Sequence, residues 1–377
     1  MVRGWEEARQ AAYDAAPSLE PVVVPAGDAL GLRLAAPLVA ADDLPPFDNA
    51  AMDGYAVPGP GPWTVLGRTL AGEAGARAPL GAGEAWEVAT GAPVPPGARS
   101  VVPVELTVRD GGSGKVEATG EVEDGRHVRR RGEEAMAGER LLPAGVRVTP
   151  QVVALAAAVG AAELAVVPAP RVAALVTGDE LGERPGQVHD AIGPALPGWV
   201  GWAGGALTGV TRLPDAVGGL RAALAGADAD LVLVTGSSSV GPADHLRPLL
   251  AELGAHPVVD GVCCRPGSLA GLFRLGERRL VAALPGNPFA ALVAFVTVVA
   301  PALAGLRGDA LPLLQPVATD LPRHRSDTRL VPVRITAAGP VPLGHDRSGM
   351  LRGVAQADAL AVVPAAGGSA LLQPLPG

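Results

Sequence analysis

The residues with the clearest chemical potential sit in short turns between apolar runs. Thr177-Gly178-Asp179-Glu180-Leu181 follows a buried strand run, Arg171 to Thr177. In an open α/β sheet, ligands bind beyond the carboxyl ends of strands. A glycine turn there brings backbone N–H groups close to phosphate, and carboxylates can hold Mg²⁺. From the residues alone, a ligand role and an ordinary turn are equally well supported here. The stretch Val234-Thr235-Gly236-Ser237-Ser238-Ser239-Val240-Gly241-Pro242-Ala243-Asp244 repeats the arrangement of strand, Gly/Ser turn and helix start. It suits a phosphate cradle with Asp244 at its end, and an ordinary strand-to-helix turn explains it equally well. Leu284-Pro285-Gly286-Asn287-Pro288 is a tight turn opening a helix over 288–305, where a structural role competes with ligand contact.

The N-terminal half has its own candidates. In Leu44-Pro45-Pro46-Phe47-Asp48-Asn49-Ala50-Ala51-Met52-Asp53-Gly54-Tyr55-Ala56-Val57, two prolines stiffen the entry. Asp48-Asn49 and Asp53-Gly54 make turns that expose carboxylates, although a rigid interdomain turn is the plainer reading. Ala89-Thr90-Gly91-Ala92-Pro93-Val94-Pro95-Pro96-Gly97-Ala98 is a strand leaving through a Pro/Gly loop. Arg129-Arg130-Arg131-Gly132-Glu133-Glu134 sets three cations against two carboxylates, a pattern usual for a solvated face.

These turns need elements to hold them. Residues 5–16 and 28–36 read as short amphipathic helices, the second capped by Asp28 and ended by Pro37. Residues 55–130 alternate short β segments with Gly and Pro turns, an all-β insert. A helix capped by Thr149 is expected over 149–159, and the apolar run 152–167 reads as a core helix. From 171 onward, strands at 171–177, 230–234 and 279–284 alternate with helices at 216–227, 243–253 and 288–305. That alternation predicts a parallel sheet wrapped by helices. After 307, short strands (329–335, 359–363, 370–374) suggest a small β barrel or sandwich.

At 377 residues, two to four domains are expected. A net charge of -8 argues against general binding to nucleic acid or acidic membranes, so any anion site needs local arginines and N–H donors. Lys115 is the only lysine, a bias that reaches the whole Ala/Gly/Pro-rich chain. Adjacent Cys263 and Cys264 lack metal-site spacing and read as reduced thiols. The charged, amphipathic N-terminus has no apolar signal core, so a cytoplasmic protein is expected.

In sequence and order, these segments resemble the molybdopterin molybdenumtransferases, the MoeA and gephyrin E-domain family. The hallmark stretch around Asp53 matches almost word for word, followed by the segments at 89–98, 177–181, 234–244 and 284–288. The resemblance implies a multidomain α/β protein with four parts. A discontinuous helical linker domain covers 1–54 and 129–168, and a β-rich insert covers 55–128. A MogA-like parallel-sheet domain covers 169–306, and a C-terminal β barrel covers 307–377. It further implies Mg²⁺-dependent insertion of molybdate into adenylylated molybdopterin, with release of AMP. The expected assembly is a homodimer in which Asp53 reaches the partner's site, with possible contact with a MogA-like adenylyltransferase.

Site roles carried over from the family fall to this chain as follows. Asp53, Glu134, Glu180 and Asp244 would be catalytic, and Asp179, Glu180 and Asp244 would place Mg²⁺. Thr90, Thr177, Gly178, Gly236, Ser237 and Ser239 would bind the pterin nucleotide, as would Pro285 and Asn287. Arg265, Pro266, Gly267, Ser268, Arg329 and Ser348 would hold molybdate.

The chain departs from the family pattern in its most chemical loop. Where the family carries a lysine and then a KPGKP-like run, Gly261 stands at the first lysine, Arg265 at the second and Ser268 at the third. A guanidinium still binds oxyanions. Each missing charge-assisted contact is worth roughly 1.5–3 kcal/mol, about tenfold or more in anion affinity. Ile192 stands where the family has Asn, and Pro332 where it has Phe. A catalytically impaired relative that binds pterin or a partner protein and acts in assembly is the alternative function.

Overall fold

The computed structural model describes residues 2–76, 78–236 and 245–376. The chain divides into two compact units, one of Met1–Val22, Gly31–Arg33 and Val167–Gly377, the other of Val23–Leu30 and Leu34–Val166.

The larger unit is built on a six-stranded sheet. Its strands are β1 (Arg171–Thr177), β2 (Ala206–Leu213), β3 (Leu231–Thr235), β4 (His256–Asp260), β6 (Gly271–Leu275) and β7 (Arg279–Leu284), with the short β5 (Cys264–Arg265) outside it. The order is β2-β1-β3-β7-β6-β4. The first four strands are parallel, as the alternating pattern predicts, whereas β6 runs antiparallel to both β7 and β4. The sheet is therefore mixed, which corrects the all-parallel expectation. A β4–β6 hairpin fills that edge, and its mixed run His256–Asp260 carries little strand signal.

Side chains alternate across the sheet with period two. Leu231 and Leu233 join a core with α1 (Trp5–Asp14) and α5 (Pro288–Leu306) on one face. Val232 and Val234 pack on the other face against α3 (Val217–Gly226) and α4 (Leu246–Glu252), with α2 (Leu196–Trp202) beside the first core. Among the described residues one helix, α5, has the length and apolarity of a membrane span. It is 94% buried, as a helix at the centre of a core must be. Residues Phe295–Val299 of α5 form a π turn, inside which Thr297 accepts a hydrogen bond from Trp5 Nε1 at 2.9 Å.

The remaining strands of this unit form a second six-stranded sheet. Thr328–Thr336 pairs with β5, with Gly339–Pro342 and with Ala359–Val363, and the sheet continues through Ala370–Pro374 to Gln315–Val317. Leu330, Leu360 and Val362 face the main core, while Val331, Val333 and Val363 line a small core of their own.

The smaller unit holds a four-stranded sheet of Thr64–Thr69, Glu84–Val88, Gly54–Val57 and Ser100–Pro103, in that order. The helix Pro150–Ala158 carries its Thr149 cap, the Oγ1 accepting from the Val152 N–H. Two local readings fail. Residues 28–36 are not helical: a 3-10 turn ends at Ala29 and Arg33–Leu34 is a strand. There the backbone N–H groups of Leu34 and Ala35 donate to Val146 and Ala165 instead of along a helix. The apolar run 152–167 breaks after Ala158 and continues as the strand Glu163–Val167.

Candidate functional site

Three parallel strands end side by side, and the candidate turns follow from that. Val176 pairs with Thr235, and Thr235 with Leu284. The chain moves from β1 to β2 on one side and returns to β3 on the other, which makes the β1/β3 boundary the switch point where ligands bind. Thr177 Oγ1 donates to the Thr235 carbonyl at 3.0 Å, tying the two ends together. Gly236 has φ +75°, and a Cβ there would lie 2.4 Å from the Thr177 carbonyl oxygen. Glycine is thus required both by conformation and by the closeness of the two turns.

A cavity of about 670 Å³ opens beyond these strand ends, within the range of small-molecule sites. The candidate residues Thr177, Gly178, Glu180, Gly236, Pro285 and Asn287 line it, together with Asp190 and Asp215. The Glu180 carboxylate folds back over Gly178. Asp179 faces a neighbouring polar groove with Arg184, Gln187 and Arg212. Its Oδ1 accepts the Asp215 N–H, and Asp215 Oδ2 accepts the Asp179 N–H, each at 3.2 Å. This reciprocal clasp was not foreseen, and it separates Asp179 from Glu180. Asp190 Oδ1 accepts the Ile192 and Gly193 N–H groups, while Ile192 itself is buried in the main core. Among the described residues no group of three candidate metal-binding side chains forms. Ser237, Ser239 and Asp244 lie outside the described residues.

A second depression of about 540 Å³ shares Leu269, Pro285 and Asn287 with the first. Arg265, Pro266, Gly267, Ser268, Arg329 and Ser348 all line it, so the structure gathers the whole candidate oxyanion set. The Ser348 carbonyl accepts the Phe289 and Ala290 N–H groups at 2.9 and 3.1 Å, fixing that turn to the start of α5. The arginines have partners the sequence reading missed. Arg265 Nε donates to Asp327 at 2.6 Å, and Arg329 Nη2 donates to Asp346 at 2.9 Å. The Arg265 hydrogen bond holds the Asp327 carboxyl below its usual range. Arg347 also lines the depression. Burial pushes the Cys264 thiol up to about 12, and its Sγ donates to the Pro266 carbonyl, so it acts as a core thiol.

In the smaller unit, Asp53 and Thr90 come together. Asp53 Oδ1 accepts the Thr90 N–H at 2.6 Å and its hydroxyl at 2.8 Å. The backbone bond, then the hydroxyl bond, lowers the pKa of this exposed carboxylate. Asp48 has a structural role: it accepts the Arg131 N–H and pairs with Arg130. Arg131 pairs with Asp43, so the charge run at 129–134 anchors a turn as well as facing solvent. Glu134 is exposed, and its N–H donates to the Leu44 carbonyl.

Known proteins match this chain along its whole length. A model of the MoeA N-terminal region (domain I and II) matches residues 3–160. A probable molybdopterin binding domain matches 173–305, and the MoeA C-terminal region (domain IV) matches 315–370. Molybdopterin molybdenumtransferase 2 of Mycobacterium tuberculosis is 34% identical over 394 aligned residues, covering 96% of each chain. The chain belongs to the molybdopterin molybdenumtransferase, or MoeA, family. Molybdopterin molybdenumtransferase of Synechococcus elongatus is 30% identical over 355 residues, 88% of this chain and 87% of its own. The crystal structure of the MoeA protein from Pyrococcus horikoshii OT3 superposes with a TM-score of 0.75 at 25% identity, covering 100% of this chain and 99% of its own. The multidomain α/β architecture with a β-rich C-terminal region is therefore that of MoeA, and the family's proteins are transferases.

Proposed function

We propose that this chain inserts molybdate into adenylylated molybdopterin and releases AMP, a step of molybdenum cofactor biosynthesis. The observation that carries the reading is the pair of adjoining depressions that share Leu269, Pro285 and Asn287. One sits at a switch point suited to a phosphate-bearing pterin nucleotide. The other gathers Arg265, Arg329 and Ser348 as donors for a tetrahedral oxyanion. Holding both anions against one wall converts a bimolecular encounter into an oriented one. Mg²⁺, which takes one or two carboxylates and completes its shell with phosphate and water, would be held at this edge by carboxylates such as Glu180. Asp53, ionised and exposed beside Thr90, is proposed to serve the site of a partner subunit in a homodimer.

The test is AMP release by the purified chain given adenylylated molybdopterin, Mg²⁺ and molybdate. Stoichiometric AMP and a molybdenum-loaded pterin are expected, and no AMP would sink the enzyme reading. A second reading, a pterin-binding relative that acts in assembly, is favoured by the pairing of Arg265 and Arg329 with carboxylates. It predicts tight pterin nucleotide binding with no AMP formed.

A further inference from the structure

The residues ahead of α1 run alongside the oxyanion loop. Arg3 bridges Val262 in parallel fashion. Its N–H donates to the Gly261 carbonyl at 3.1 Å, and its carbonyl accepts the Cys263 N–H at 2.8 Å. Its Nε donates to the Val258 carbonyl at 3.0 Å, reaching back into β4. One residue therefore ties down the segment from Val258 to Cys263. The other flank of the loop is fixed too: the Thr328 N–H donates to the Cys263 carbonyl, and β5 pairs with Thr328 and Arg329. The strand itself is anchored, because Trp5 is buried and hydrogen-bonded to Thr297 in α5.

Gly261 gives the arrangement a second consequence. Its φ is +98°, where an L residue is strained, and a Cβ there would lie 3.3 Å from Val2 Cγ2 and 3.5 Å from the Ser268 carbonyl. Ser268 is different, being exposed and facing the depression. Of the two positions, 261 opposes a side chain through its positive φ and the close Val2 methyl, whereas 268 is open.

We propose that Val2–Gly4 is a positioning strand that sets where Arg265 and Ser268 meet the oxyanion, with the Val2 side chain occupying the room of a side chain at 261. The proposal rests on the reading of this depression as the molybdate site. Loops left without support lose the sub-ångström placement that anion recognition needs, whereas a purely structural strand would affect stability alone.

The probe is molybdate alone, titrated calorimetrically into the full chain, with AMP binding as the control for the strand-end cavity. Arg3→Pro removes the N–H and the guanidinium together. It is expected to speed hydrogen exchange across 261–270 and raise the molybdate Kd about fivefold or more, with AMP binding unchanged. A folded Arg3→Pro protein with unaltered molybdate Kd overturns the proposal. If that variant does not fold, Arg3→Ala, which keeps both backbone bonds, decides. A Kd raised about twofold and restored by Arg3→Lys supports positioning, and an unchanged Kd overturns it. A wild-type chain that binds no molybdate overturns the functional reading itself, an outcome distinct from wild type and variant binding equally.

Discussion

The two depressions share a wall yet are built on different principles. The strand-end cavity is made by backbone: Gly178, Gly236 and the Pro285–Asn287 turn are placed by three parallel strands in fixed register. The oxyanion depression is made by side chains on a loop, and its Arg265 and Arg329 are each matched by a carboxylate. A backbone site tolerates little change where a glycine answers a steric demand, as Gly236 does. Side-chain sites depend instead on which residues the loop carries, and here Gly261 and Ser268 contribute no charge.

That contrast is easiest to break at Gly236. Gly236→Val places a side chain against the Thr177 carbonyl at a positive φ, a conflict of about 1–3 kcal/mol before any ligand is considered. Filling the cavity as well should lower pterin nucleotide affinity by on the order of a hundredfold, measured by fluorescence titration. Arg265→Ala should weaken molybdate binding about tenfold by calorimetry and leave AMP binding alone. Asp327→Asn should act in the opposite direction, because it frees Arg265 from its partner. For so exposed a pair the gain is at most about fivefold.

The two positions without a cation should also separate. Ser268→Lys is expected to tighten molybdate binding about threefold. Gly261→Lys should give no gain and lower the Tm, since its side chain starts from strained backbone beside Val2. If both lysines help equally, the positions are equivalent and the steric argument is wrong.

The smallest effect concerns pH. The pKa of Asp327 is lowered in the folded chain, so its pair with Arg265 is complete above the ordinary carboxylate range and is lost only as pH falls through the lowered value. The contribution of this pair to molybdate affinity should therefore be flat between about pH 5 and 8. The measurement is the pH profile of Kd for wild type against Asp327→Asn.

Much of this was legible in the sequence for physical reasons. The runs at 171–177 and 279–284 are apolar enough to be buried on both faces, and Gly or Pro follows each one closely. Their turns then had to meet at one edge of a sheet. The hairpin β4–β6 was not legible, because His256–Asp260 mixes polar and apolar residues and pairs only through tertiary context. The same context left 28–36 as the end of a 3-10 turn followed by the two-residue strand Arg33–Leu34. Gly160, visible in the apolar run 152–167, stands at φ +74° just before the chain changes to strand. In the candidate site, the family resemblance grouped Arg265, Arg329 and Ser348 but gave no sign of Asp327 or Asp346, since ion pairs depend on rotamers and a shared pocket. The Asp179–Asp215 clasp likewise joins residues from two turns that no local pattern connects.

The central claim is that the loop depression holds the oxyanion beside the pterin nucleotide. Crystals of the full chain soaked in tungstate, a heavier tetrahedral analogue, would locate it by anomalous scattering. The account predicts a peak within hydrogen-bonding reach of Arg265 and Ser348, against the wall formed by Pro285 and Asn287. A peak confined to other surfaces, or none at a concentration that saturates binding in solution, would contradict it.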